Sequence, residues 1–453
     1  MTSVVWFRRD LRTRDHPALL ASLAEAATVP VFVVDPRLWH RASPVRRSWL
    51  ALTLRALDER LEGRLTVRTG DPVEVLPRLA REVEARTVHV SAETTPYGAA
   101  RDVAVAAALA EQGTRWRATG SPYAVGPGRV RNKAGDPYRV FTPWARAWRE
   151  TGWAAPAATP RSPDLVRADS DAEAVGVLSA AVEEAPEGLP SPGEEGAWRR
   201  WRHFRDQLLA RYDDDRDRPD RDGTSRLSPW LSLGVLHPRS LLADLPADAS
   251  PSVERFVTEL GWREFYADVL HHAPGSAWSD LRPTLAGMAY STEEDAVEAW
   301  RTGTTGYPFV DAGMRQMLAQ GWMHNRLRMV TASFLCKDLH VWWPLGARHF
   351  LQHLVDADLA SNNHGWQWVA GSGTDASPYF RVFNPVQQGL RFDPQGDYVR
   401  RWVPELAHLA GAAAHEPWRH PQGYERDYPA RIVDHTEERR EALRRYEQTT
   451  RER

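Results

Sequence analysis

Apolar and polar positions follow two different rhythms along this chain. Up to about Ser121, short apolar runs at residues 4–7, 29–34, 65–68, 87–90 and 114–118 are separated by Ala-, Leu-, Glu- and Arg-rich segments with helical spacing. Strands alternating with helices predict an α/β domain built on a parallel, Rossmann-like sheet. Gly70-Asp71-Pro72 predicts a strand-to-helix turn, with Asp71 as N-cap and Pro72 at the first helical position. In such sheets ligands sit beyond the carboxyl ends of the strands, which puts Phe7-Arg8-Arg9-Asp10 and Asp35-Pro36 at the mouth of a candidate pocket. No Gly-rich dinucleotide fingerprint accompanies them.

From Ala154 to about Gly196 the chain is rich in Ala, Pro, Ser and Glu, and six prolines interrupt any long element. Beyond it, residues 198–212, 251–272, 307–320 and 324–339 carry helical periodicity, and β-branched alternation disappears. The pattern therefore predicts an α/β domain over 1–125, an interdomain linker over 126–196 and an all-α domain over 197–453.

Composition narrows the chemistry. With 58 Lys and Arg against 60 Asp and Glu, an anionic partner has to be met by a local patch. The single cysteine, Cys336, excludes an internal disulfide framework, a cysteine-only zinc site and a cysteine-ligated iron–sulfur cluster within this chain, and no metal site is expected. The start, MTSVVWFRRDLR, breaks its apolar run with arginines too early for a signal peptide or a membrane span, so the expectation is a soluble, cytoplasmic protein. The 20 tryptophans are several-fold above ordinary usage. Most such rings fill helix–helix cores, and the remainder are candidates for stacking or redox work.

Four segments concentrate functional groups. Tyr212 to Arg216, followed by Gly223-Thr224-Ser225-Arg226-Leu227-Ser228-Pro229-Trp230, combines a glycine, hydroxyls and arginines before a helix, with Ser228 predicted as its N-cap; that suits a phosphate, although most such helix starts merely cap. Glu259 and Trp262 share one helical face, flanked by Arg263 and Tyr266, which an ordinary amphipathic helix would also explain. Gly321 to Met329 (GWMHNRLRM) crowds aromatic, amide and cationic groups into one helix entry. Asp356 to Trp368 holds two carboxylates, two asparagines and two tryptophans in thirteen residues. Rings flanked by amides are what a planar heteroaromatic ligand needs, with faces to stack and edges to hydrogen-bond.

The stretches GTSRLSPW, ELGWREFY, TGYPFVDAGMRQ, GWMHNRLRM, VDADLASNNHGWQW and TDASPYFRVFNP, in this order, resemble the photolyase/cryptochrome family, and most closely its class I members that repair cyclobutane pyrimidine dimers. The resemblance runs from WFRRDLR to the region of Trp418 and implies a helical domain that binds FAD, reduced and anionic in its active state, and acts on damaged DNA. Carried over residue by residue, it assigns FAD to Tyr212, Thr224, Ser225, Arg226, Leu227, Ser228, Phe256, Glu259, Arg263, Asn325, Arg328, Asp356, Ala357, Asp358 and Asn362. It assigns the DNA lesion to Arg216, Glu259, Trp262, Asn325, Met329 and Trp368. Asn362 matches the position facing flavin N5, where an amide cannot protonate the ring. Asn325 stands where enzymes repairing (6-4) photoproducts carry a second histidine after His324, which points to cyclobutane dimers, with Glu259, Asn325 and Asn362 as the catalytic set.

For electron supply the resemblance assigns Trp366 and Trp343, with the third position falling on Tyr290, where the family usually has tryptophan; Trp300, Trp278 and Trp342 are the alternatives. The N-terminal domain would hold an antenna pigment, 8-hydroxy-deazaflavin or methenyltetrahydrofolate, near Arg9, Arg46 and Glu93. A lysine that deazaflavin-type members supply is Ser232 here, and Arg9 could equally pair with Asp10 or Asp35. The expected state is a monomer, associated with the nucleoid through DNA. The rival reading is a cryptochrome-like photoreceptor, and against it only a short charged run, residues 437–453, follows the last motif.

Overall fold

The apolar runs of the first 120 residues become strands because β-branched side chains pack well on a pleat covered from both sides. In the computed structural model, which describes residues 2–247, 249–374 and 380–451, they are Thr2–Phe7 (β1), Ala27–Val34 (β2), Thr66–Thr69 (β3), Ala85–Val90 (β4) and Arg115–Ala118 (β5). All pair in parallel, in the order β3-β2-β1-β4-β5. Val4, Val5, Trp6 and Phe7 are all buried, which is why β1 reads as a continuous apolar run rather than an alternation. The order reverses beside β1, so the crevice past the carboxyl ends of β1 and β4 is the switch point of the sheet. As predicted, Asp71 caps the helix Pro72–Glu82 by accepting from the Val73 N–H at 3.0 Å.

The segment read as a linker is more structured than its prolines suggest. The helices Phe141–Thr151 and Ala172–Glu183 both fall inside it. Between Pro163 and Pro186 no proline intervenes, which leaves room for the second helix. Asp171, just before that helix, ties it to the sheet edge by accepting from Arg68 at 3.3 Å and from the Thr69 N–H at 2.9 Å.

Packing divides the chain into two compact units that do not follow a cut at residue 196. One comprises Met1–Tyr138, Thr142–Gln207 and Ser225–Pro274; the other comprises Arg139–Phe141, Leu208–Thr224 and Gly275–Arg453. The long helix Pro251–His272 thus belongs with the sheet. Its buried Glu264 shows why: the carboxylate accepts from the Ala124 and Val125 N–H groups and, at 2.8 Å, from the Trp148 indole. Removing that helix would strand three donors, those of Val125 and Trp148 buried.

The second unit is helical throughout its described residues, around a core that includes Trp300, Tyr307, Phe309, Trp343, Phe350 and Trp366. Residues 324–339 form the helix Asn325–Ser333, which widens into a π-turn over Phe334–Asp338. The charged run near the end is the helix His435–Arg451, anchored by His435 on Asp338 at 2.5 Å and by Glu438 on His340 at 2.7 Å.

Candidate functional site

In the sheet-bearing unit, the Ser225–Ser228 segment leads into a helix of only five residues, Ser228–Ser232. The N-cap position belongs to Leu227, with no side-chain cap, so the expected Ser228 cap is corrected: the chain turns earlier, at Arg226, whose φ is +51°. The Ser225 carbonyl accepts from Arg200 Nε at 2.8 Å, a support that the motif itself did not reveal. Phe256 is buried against Trp201 and Phe204, with ring centroids 5.4 and 5.2 Å away.

Glu259, Trp262, Arg263 and Tyr266 are half-buried along the helix Pro251–His272. Trp262 meets Phe265 edge-on at 5.8 Å and Tyr266 at 5.4 Å, which fixes the indole plane. Arg263 donates to the Pro122 and Leu231 carbonyls at 3.1 and 3.2 Å and lies over Tyr123. Its guanidinium therefore ties three segments of this unit together.

At the sheet's switch point, Arg9 Nη1 is 3.8 Å from Glu93, and Arg9 Nε donates to the Ser232 carbonyl at 3.3 Å. Asp10 faces His16 at 3.1 Å, and Asp35 accepts from Tyr97 and from the Arg37 N–H. Burial pushes the Glu93 carboxyl up, but Arg9 and the Thr95 and Thr94 N–H groups bring it below its ordinary value. Arg46 lies half-buried on the helix Pro44–Arg60. Ser232 is buried and donates to the Pro229 carbonyl.

In the helical unit, Tyr212 is buried at the start of the helix Tyr212–Asp215, with the Arg216 guanidinium over its ring at 5.8 Å. Asn325 is exposed at the first turn of its helix, one turn before half-buried Met329 on the same face. His324 caps that helix, its Nδ1 accepting from the Arg326 N–H at 3.1 Å. Arg328 donates to the Met323 carbonyl and, at 2.7 Å, to Asp356 Oδ2. Asp358 accepts from the Ser361 N–H and so caps the helix Leu359–Ala370, while Ala357 packs on the core.

That helix carries Asn362, Trp366 and Trp368. Asn362 Nδ2 donates to the Ala347 carbonyl at 3.1 Å and to Asn363 Oδ1 at 2.8 Å. Trp366 is buried, edge-on to Phe350 at 5.0 Å and to Trp300 at 6.0 Å. A side chain on Gly346 would strike its ring. Trp343, on the facing helix Trp343–His353, donates its indole N–H to Asp280 at 2.7 Å. Asp280 went unnoticed in the sequence, since a lone aspartate after Trp278-Ser279 has no spacing signal. Tyr290 lies 6.5 Å from Trp342, and Trp342 lies 6.5 Å from Trp343. In the motif beginning at Thr374, residues 375–379 lie outside the described residues.

Asp356 Oδ1 and Trp366 Nε1 are buried with no hydrogen-bond partner among the described residues. Orphaned buried polar groups are uncommon in folded proteins, and each calls for a ligand or a water. A carboxylate oxygen beside an arginine, with a row of amides and indoles on the next helix, fits the edge and face of a flavin.

Comparison with known proteins agrees. Residues 3–163 match the family model for DNA photolyase, and residues 256–448 match that for the FAD binding domain of DNA photolyase. The chain is 43% identical over 452 residues to the deoxyribodipyrimidine photo-lyase of Streptomyces griseus, covering 96% of this chain and 97% of the relative. Among solved structures it resembles a class III photolyase from Agrobacterium tumefaciens, with a TM-score of 0.91 and 36% identity over 99% of this chain and 98% of that one. A Synechocystis cryptochrome has a TM-score of 0.88 and 27% identity over 98% of each chain.

Proposed function

This chain belongs to the DNA photolyase family, and from that premise we propose how its own side chains divide the work of repair. The enzyme binds FAD and splits cyclobutane pyrimidine dimers in DNA under light. When bound, FAD supplies the light-absorbing group that lends an electron to the dimer and takes it back. Photolyases are among the enzymes that extrude their target base from the duplex, which a damaged, weakly stacked pair makes easier.

FAD is held by Tyr212, Thr224, Ser225, Arg226, Leu227, Ser228, Phe256, Arg328, Asp356, Ala357 and Asp358. Asp356 Oδ1 is the observation that carries this reading: an acceptor buried without a partner, 2.7 Å from Arg328 through its other oxygen. Asn362 has no acidic proton to give, so it leaves the reduced ring anionic. Trp262 and Trp368 stack on the extruded dimer, Glu259 and Asn325 hydrogen-bond its carbonyl edges, and Arg216 meets the DNA backbone, giving salt-sensitive binding with little sequence preference. Arg263 acts from behind, fixing the helix that carries Glu259 and Trp262.

Trp366 and Trp343 relay electrons inward when the flavin is oxidised. An antenna pigment, deazaflavin or folate, occupies the switch point near Arg9, Arg46 and Glu93. The ranges 1–125, 126–196 and 197–453 then mark antenna, connection and repair functions rather than packing units. Among the described residues no helix is long and apolar enough to cross a membrane, and a cytoplasmic monomer on DNA fits the reading.

The test is to illuminate the flavin-reduced protein with dimer-containing oligothymidine and follow the recovery of thymine absorbance. Recovery that Glu259→Ala and Asn325→Ala abolish supports the assignment. No recovery favours the photoreceptor reading, to which the likeness to the Synechocystis cryptochrome lends weight. A pigment band beyond the flavin's own identifies the antenna.

A further inference from the structure

We propose that electrons enter the ring series from solvent at Trp342, that Tyr290 stays unoxidised beside it, and that Asp280 is a positioning residue holding positive charge on Trp343. This rests on the reading that Trp366 and Trp343 feed a bound flavin. Burial, neighbours and protons single out Trp342.

Trp343 is 1% exposed and its indole N–H donates to Asp280 at 2.7 Å. A carboxylate this close lowers the energy of a positive charge on the ring, and does so strongly in a buried setting. From there, Trp342 is the adjacent residue, 6.5 Å between ring centroids and 40% exposed. It joins the buried ring to water.

Each alternative meets an obstacle. Trp300 is fully buried and its indole donates to the Thr331 carbonyl, so it has no outlet. Trp278 is 37% exposed but carries the Arg348 guanidinium 4.8 Å over its face, which repels a positive hole. Tyr290 has Trp342 as a ring neighbour, with centroids 6.5 Å apart. A phenol must shed its proton as it is oxidised. Burial, and then the negative charge of Asp280, hold that proton more tightly than usual, and the Tyr290 hydroxyl has no hydrogen-bond acceptor among the described residues.

The electron count closes with a soluble thiol. Trp343, having given one electron inward, takes one from Trp342, and no heavy-atom bond changes. The Trp342 indole N–H proton leaves to water. A thiolate then returns one electron to Trp342, which regains a proton from water, and two such turns join two thiyl radicals as one disulfide.

The experiment is laser-flash absorption of the flavin-loaded protein with the flavin oxidised, with β-mercaptoethanol as reductant. In the unsubstituted protein the longest-lived radical should carry the indole spectrum. Trp342→Phe should remove that signal and slow photoreduction at least tenfold, while Tyr290→Phe changes neither. Asp280→Asn should lower the yield of the long-lived radical several-fold, and Asp280→Glu should restore it. A long-lived tyrosyl spectrum, lost in Tyr290→Phe, would overturn the proposal without needing any Trp342 variant to fold. Trp366→Phe separates the premise: if photoreduction survives that change, the ring series itself is wrong, and the exit with it.

Discussion

The two candidate ligand regions treat their charges in opposite ways. Beyond the carboxyl ends of the sheet's strands, cations and acids close on one another: Arg9 on Glu93, Arg8 on Asp102 at 2.6 Å, and Arg37 on Asp35 and Asp71. Among the residues of the helical unit proposed to hold the flavin, Asp356 has one oxygen paired with Arg328 and the other buried without a partner. A region that satisfies its own charges folds well empty and binds as an accessory. One that leaves an acceptor orphaned depends on its ligand for that last interaction.

The largest expected effect breaks this contrast directly. Asp356→Ala removes a charged hydrogen-bonding group worth about 2–3 kcal/mol, so flavin binding should weaken roughly 30- to 150-fold. The flavin absorbance of the purified protein reads this, and undiminished flavin content would mean that the orphaned oxygen has another purpose. Next comes the lesion wall. Stacking of a base on an aromatic ring contributes about 1–3 kcal/mol, so Trp262→Ala should weaken binding of dimer-containing oligonucleotide roughly 5- to 150-fold while flavin content stays constant. Filter binding at fixed salt, compared with undamaged DNA, separates the two.

Smaller effects belong to the sheet region. Glu93 has its carboxyl below the ordinary value, so it adds stability above that value of 4.5 and loses it as pH falls through the folded-state pKa. Glu93→Gln should therefore flatten the acid limb of Tm against pH while barely changing flavin content. If flavin content falls with it, the two regions are coupled more tightly than their charges suggest. The smallest change is expected from Arg46→Ala, which should alter any antenna band and leave dimer repair in strong light as it was.

Much of this was legible in the chain. Strand positions came within two residues because both-sided burial writes continuous apolar runs, and Asp71-Pro72 announced its cap. Motifs around Asn325 and Asn362 announced the family, and the family model for the FAD binding domain of DNA photolyase matches the chain there. What stayed hidden depends on partners far apart in sequence. Arg9 found Glu93 and the Ser232 carbonyl, and Trp343 found Asp280, through folding alone. The prolines of residues 154–196 masked a helix because their spacing, rather than their number, decides what they interrupt. Ser228 missed its cap by one position, since the turn at Arg226 begins the helix earlier.

The sheet-bearing unit closes only when Ser225–Pro274 returns to it. During synthesis at about 5–20 residues per second, its sheet waits roughly 7 to 30 seconds for the helix that brings Glu264 to the Trp148 indole. A fragment ended at residue 196 would leave Trp148 and the Ala124 and Val125 N–H groups without their acceptor. Such a fragment should emerge as a chaperone client rather than as an antenna module. Any attempt to transplant the sheet-bearing half into another protein has to carry residue 274 along.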